Sequence, residues 1–232
     1  MQSLNQHRPL NRAIILILIA ISVIALSWRI ASTDKVSIGL PEVGGYSVDT
    51  ALRVGASIDE QITALQDHIR ANPKDWPSYS PLGLAYLQKA RETGDPSYYQ
   101  KAEEALNQSY GRQANDYVTI SALGALALAR HQFHDALDWG ERARQLNPTR
   151  TYAYGIIADA QIELGQYDEA VETLQTMVDL RPDMSSYSRV SYMRELHGDV
   201  DGALEMMQLA VDSGVPTGEA TAWTRTQLGN LY

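Results

Sequence analysis

Ala102, Ala136 and Ala170 stand 34 residues apart in succession, and Pro148 and Pro182 keep the same interval, each proline closing an amphipathic stretch. A fixed interval of this size restricts the fold more than any other feature of the chain. It makes the protein a series of like units, each able to bury its apolar side only against the next. The interval holds two helices of about a dozen residues each, with the turns that join them. An all-α solenoid of helix-turn-helix units is therefore predicted.

Residue size follows the same interval. Residues 117–150 carry Ile120, Leu123, Gly124, Ala127, Ala136, Gly140, Ala143 and Pro148, and residues 151–183 carry Tyr154, Ile157, Ala158, Gln161, Ala170, Leu174, Met177 and Pro182 at corresponding places. Small residues at Gly124 and Ala158 let the first helix of a unit nest against the second, where bulk would force the pair apart. This combination of spacing and size resembles the tetratricopeptide repeat family. The resemblance implies about four repeats behind an N-terminal capping helix, with a partial fifth at the end.

The units are read as 76–116, 117–150, 151–183, 184–221 and a partial 222–232. The first departs from the pattern because Lys89 to Gln100 is additional sequence. There Thr93-Gly94 reads as a helix stop and Asp95-Pro96 as a start, with Asp as the cap and Pro at the first helical position, so the hairpin is elongated. The fourth places Ser191 and Arg194 where small and aromatic residues are usual in the family. In the last, Leu228-Gly229 and Tyr232 repeat the start of a first helix without its partner. A solenoid end needs a polar cap, so either the native chain continues past Tyr232 or a partner covers this end.

Ahead of the repeats, Ser57-Ile58-Asp59-Glu60 has the form of a capping box, and Ile62, Leu65 and Ile69 recur on one helix face until Asn72-Pro73. Residues 58–75 are thus expected to form a capping helix. Residues 31–57 contain Gly39, Pro41, Gly44, Gly45 and Gly55 and read as a tether.

From Ala13 to Trp28 the chain has no charge, and Arg12 and Arg29 bracket the run. As a helix it spans roughly 24 Å, close to a bilayer core once flanking apolar residues contribute. Arg12 and Arg29 can extend their side chains outward, and Trp28 stands where an interfacial aromatic belongs. Residues 13–30 are accordingly read as a single transmembrane anchor in the lipid bilayer, after a short tail over residues 1–12. The competing reading is a cleaved secretory leader with Ala25-Leu26-Ser27 as its cleavage site, against which the apolar run is long. Arg8, Arg12 and His7 precede the helix against Arg29 and Lys35 after it, a small bias that favours an inner-membrane protein with extracytoplasmic repeats.

Composition narrows the function. A net charge of −9 and no basic face argue against nucleic acid. With no cysteine there is no disulfide framework, thiolate metal site or cysteine nucleophile. His131 and His134 have a ligand-like spacing, but they fall at a turn without a third ligand, and a solvated turn is the better reading. No Gly-rich phosphate loop or acid–base constellation is present, so neither enzyme chemistry nor a cofactor is expected.

In the resembled family, first-helix residues line a concave groove. Carried onto this chain, the candidate groove is Leu84, Leu87, Gln88, Val118, Ser121, Ala125, Leu128, Tyr152, Asp159, Ile162, Tyr192, Glu195 and Trp223, which includes no lysine or arginine. A basic clamp for the C-termini of chaperones is therefore not expected. An apolar and aromatic channel with a few carboxylates suits a helix or extended segment of a protein partner. Packing between units is the alternative role for Leu84, Leu128 and Ile162. The function expected is a membrane-anchored scaffold, an accessory subunit of a membrane-protein complex with membrane-associated partners; the alternative is a transient assembly factor that holds clients, as membrane-anchored repeat proteins in cytochrome c maturation do.

Overall fold

Each of the four full repeat units folds as a pair of antiparallel helices. A computed structural model describes residues 56–214 and 219–232, and ten α-helices lie among them. A first helix, α1 (Ile58–Ala71), is followed by a 3-10 turn at Trp76–Ser78. Then come the pairs α2 (Tyr79–Thr93) with α3 (Ser97–Tyr110), α4 (Tyr117–Ala129) with α5 (Phe133–Leu146), α6 (Thr151–Glu163) with α7 (Tyr167–Leu180), and α8 (Met184–Leu196) with α9 (Val200–Asp212). The last helix, α10 (Glu219–Leu231), packs on α9. The segment read as a bilayer span, residues 13–30 with Arg12, Trp28 and Arg29, lies outside the described residues. Among the described residues no helix is long and apolar enough to cross a membrane.

The contact pattern defines which side of the stack is inside. The first helices α2, α4, α6 and α8 touch one another in succession, and each second helix also touches the first helix of the next unit. Among the described residues no comparable interface joins successive second helices. Of the described helices, only the first helices pack in this way on their counterparts in adjoining units, so the side they form is the more enclosed, inner face of the stack.

Local sequence signals set the helix ends. Ser57 and Glu60 form the reciprocal capping box, with Ser57 N–H donating to Glu60 Oε2 at 2.8 Å, and Asn72 N–H closes α1 on the His68 carbonyl at 2.8 Å. In the elongated hairpin, Gly94 takes the left-handed conformation with φ 68°. Asp95 accepts from Ser97 N–H at 2.9 Å, and α3 begins one residue after Pro96, not at it. Asp116, Asp183 and Asp199 cap α4, α8 and α9 through their side chains.

The turn inside the later units is built three times in the same way. Gln132, Gln166 and Asp199 N–H donate to the carbonyls of Ala127, Gln161 and Arg194, five residues back, at 2.9, 2.8 and 2.9 Å. This closure requires a left-handed residue just before the donor, supplied by Gly165 at φ 75° and Gly198 at φ 77°, but by His131 at φ 58° in the second unit. A histidine there is strained by its Cβ. His131→Gly is expected to stabilise the protein by roughly 0.5–1 kcal/mol, read as a higher urea midpoint at unchanged slope. An unchanged or lower midpoint would mean that the edge-to-face contact of His131 with Phe133, at 5.5 Å, outweighs the backbone strain.

Small residues act where helices approach most closely. A Cβ on Gly83 would lie 2.6 Å from Leu106 Cγ, and one on Gly140 would lie 2.8 Å from Ile157 Cγ1. Leu106 and Ile157 are fully buried and fill the space the glycines leave. The fourth unit reaches the same closeness with a polar residue. Ser191, wholly buried, donates its hydroxyl to the Ala203 carbonyl at 2.7 Å, while Arg194 reaches Asp199 Oδ2 at 3.0 Å. Both departures from the usual pattern are satisfied within the pair α8–α9.

Candidate functional site

The inner face divides into a closed N-terminal part and an open C-terminal part. Leu84, Leu87 and Val118 are buried in one apolar cluster with Ile62 and Leu65 of the capping helix, and Ser121 is buried with its hydroxyl on the Tyr117 carbonyl at 2.6 Å. Ala125 packs against this same cluster, Leu128 packs beside Ala127 and Ile156, and Ile162 is buried with Leu174 and Met193. Leu84, Leu87, Val118, Ser121 and Ile162 therefore belong to the packing between helices and offer little to a partner. The physical reason is that each first helix is covered by its neighbours on both sides. Periodicity assigns these residues to a face but cannot state how much of that face the next unit hides.

Farther along, the inner face is open. Among the described residues, every strongly exposed large apolar side chain lies at or beyond Leu146; most, such as Tyr167, Val171 and Leu209, are on second helices, and those on first helices are Tyr192 at 45%, Leu196 at 44% and Trp223 at 49% exposed. Glu195 is also exposed. Gln88, at the far end of α2, donates to Glu219 Oε2 at 3.4 Å, and so connects the first unit with the start of α10. Arg91 donates to Gln88 Oε1 from the next turn.

Between these two parts the structure places an ion pair that joins adjoining units. Arg189 Nε and Nη2 each donate to one oxygen of Asp159 at 2.8 Å, and Arg189 Nη1 donates to Ser185 Oγ at 2.6 Å. Gly155 creates the room, because a Cβ there would sit 3.2 Å from the guanidinium carbon. Burial alone would lower the Arg189 pKa, but the Asp159 carboxylate outweighs it and holds it above its ordinary value. The inner face thus contains an arginine, yet its planar fork is already occupied by a carboxylate. A signal for it does exist in the sequence: Gly155 and Asp159 share a helix face, and Arg189 follows Gly155 by one repeat length.

Tyr152 lies beside this pair and packs near Ile156 and Leu128. Burial pushes its phenol up, the positive charges of Arg91 and Arg189 act in the opposite sense, and the Asp159 carboxylate adds to the rise. It remains a neutral phenol at ordinary pH. The Asp159–Arg189–Tyr152 set is a rigid polar partition, with every arginine nitrogen bonded, and the free surface lies beyond it on α8 and α10.

His131 and His134 stand at the turn of the second unit, His131 at least as accessible as a half-buried residue and His134 within the first turn of α5. Among the described residues no group of three histidine or carboxylate side chains is placed to hold a metal ion.

Comparison with known proteins agrees with this architecture. Residues 127–191 match the tetratricopeptide repeat family. A stretch of 67 residues is 33% identical to anaphase-promoting complex subunit 3 of Dictyostelium discoideum, covering 29% of this chain but 7% of that protein. The chain therefore spans less than a tenth of the curated relative that it matches. The crystal structure of a thermophilic TPR protein of Thermus thermophilus superposes with a TM-score of 0.64 at 16% identity, over 75% of this chain and 90% of that one. A tetratricopeptide repeat protein from Parabacteroides merdae gives 0.62 at 13% identity, over 75% and 64% of the two chains. MamA gives 0.51 at 20% identity, over 67% and 88%. At these identities the likeness is one of fold. Proteins built from such repeats are, as a class, interaction scaffolds.

Proposed function

We propose that this chain, whose helix pairs are tetratricopeptide repeats, is a non-catalytic scaffold held at a bacterial inner membrane by residues 13–30. Its repeats lie outside the cytoplasm, where they serve as an accessory subunit of a membrane-protein complex. What supports a docking role most directly is the uneven distribution of apolar surface. The first half of the solenoid hides its large side chains, whereas Tyr192, Leu196 and Trp223 present theirs to solvent on first helices. Exposed aromatic side chains on ordered helices suit an interface and are costly to leave in water otherwise. The anchor is supported by the uncharged run Ala13 to Trp28 between Arg12 and Arg29.

Purification of the full-length chain in mild detergent tests both parts. One membrane protein is expected to co-purify at constant stoichiometry, and Tyr192→Ala combined with Trp223→Ala is expected to reduce its recovery at least fivefold with an unchanged melting temperature. Variable, substoichiometric clients would instead identify an assembly factor. Recovery unaffected by the double variant would remove the inner face of α8 and α10 as the docking surface.

A further inference from the structure

At the end of the inner face where α6 and α8 terminate, an exposed apolar patch is surrounded by negative charge. Tyr192 and Leu196 sit one turn apart on α8 and are 45% and 44% exposed; Tyr167, which opens α7, is 44% exposed. The Tyr167 ring meets the His197 ring edge to face at 6.1 Å, which brings the start of α7 against the end of α8. Glu195 adjoins Leu196 and stands one turn from Tyr192 on α8, and Glu163 closes α6, which packs against α8. Burial raises the Tyr192 phenol above its ordinary pKa, and Glu163, Glu195 and Tyr167 add to the rise.

The charges of this rim are arranged against the usual preference. Glu163 is the last residue of α6 and Glu195 the penultimate residue of α8, so both carboxylates stand where the helix carbonyls already carry partial negative charge. Neither is met by a cation among the described residues. The one basic side chain in the last turn of α8, Arg194, is turned to Asp199 at 3.0 Å, and α6 has none in its last turn. His197 directs Nδ1 to the Met193 carbonyl at 2.8 Å and not to either glutamate. Two uncompensated carboxylates, two helix C-termini and two tyrosine rings therefore leave a position whose field and π-faces favour a positive group, beside an aliphatic surface.

We propose that the rim formed by Glu163, Tyr167, Tyr192, Glu195 and Leu196 docks a partner segment that presents a lysine or arginine next to an aliphatic side chain. This rests on the scaffold function above and specifies the chemistry of its partner. The cation sits between the carboxylates and over a tyrosine ring, while the aliphatic neighbour covers Leu196. The Arg189–Asp159 pair bounds the site on its other side, so selectivity for a cation is not diluted by a free guanidinium.

The test uses the full-length chain in detergent and two labelled helical peptides of matched length, one patterned with leucine and lysine and one with leucine and glutamate, followed by fluorescence anisotropy. The lysine peptide is expected to bind and the glutamate peptide not. E163Q combined with E195Q, and separately Y192A, should each weaken the lysine peptide at least tenfold. E172Q combined with E205Q, which removes the same charge from exposed second-helix positions, should change it less than twofold. Equal weakening by the E172Q/E205Q pair, equal binding of both peptides, or no binding of the lysine peptide would overturn the proposal. Melting temperature checks folding, and relief of carboxylate crowding at two helix ends should leave it equal or higher in E163Q/E195Q. Should a natural partner still co-purify undiminished with E163Q/E195Q, this site fails while the scaffold function stands. Should no partner co-purify with any variant while the peptide results hold, the failure lies with the scaffold function alone.

Discussion

Leu106→Ala is expected to destabilise the protein by about 3–4 kcal/mol, because a fully buried leucine is removed from a place where backbones already stand close. Gly83→Ala should cost about 2 kcal/mol for the opposite reason: its new Cβ would fall 2.6 Å from Leu106 Cγ and 3.3 Å from the Ala102 carbonyl oxygen. The two changes share one volume. The double variant should therefore be less destabilised than the sum, by about 1 kcal/mol or more, as measured in a double-mutant cycle from urea midpoints. Strict additivity would mean that the small residue at position 83 is not there to admit Leu106, and the size pattern of the repeats would lose its physical basis.

Thr119→Val is expected to cost about 3 kcal/mol although it preserves shape. The Thr119 side chain is completely buried, and its Oγ1 lies 2.7 Å from Asp116 Oδ2, 2.7 Å from Ser80 Oγ and 2.9 Å from Ser109 Oγ. The assignment of protons follows from chemistry. An ionised carboxylate only accepts, so Thr119 donates its one hydroxyl proton to Asp116, and Ser80 and Ser109 donate to Thr119. Valine would leave two buried serine hydroxyls without their acceptor at the junction of α2, α3 and α4. Thr119→Ser keeps the oxygen and should cost less than about 1.5 kcal/mol. Chemical denaturation followed by circular dichroism separates the cases, and a loss for valine no larger than for serine would show that the serines find other acceptors.

These junctions mark the boundary between what can be read from sequence and what cannot. Spacing and size at Gly83, Gly124, Ala136 and Ala170 identify the helix pairs, and Ser57 with Glu60 identifies the start of α1, because both signals are local or strictly periodic. Exposure on the inner face is neither. Leu84 and Val118 occupy the same kind of place as Tyr192, yet they are covered by α1 and by adjoining first helices, whereas Tyr192 is not. Ion pairing across units is less legible: Asp159 is placed on the groove by its position and Arg189 stands one repeat length beyond Gly155, but the close approach at Gly155 that admits the guanidinium is evident only once the helices are packed. His131 suits a turn by its polarity, but its strained backbone becomes evident only beside Gly165 and Gly198 in the equivalent turns.

The division of the solenoid into a sealed half and an open half has a functional corollary. A partner seated on α8 and α10 would leave the first pair, α2 and α3, free to serve as a rigid base. The connection from Gln88 to Glu219 then lies at the margin of the occupied surface. A single weak side-chain contact of this kind does little to fix the geometry, and stiffness comes from the helix-to-helix packing itself.

Photo-crosslinking from a benzophenone amino acid placed at position 192 of the full-length chain in cells tests most directly whether the open inner face is the docking surface. A discrete crosslinked product is expected from position 192, and none from position 172 on the exposed side of α7. The same products from both positions, or none from position 192 with the chain folded and expressed, would contradict it.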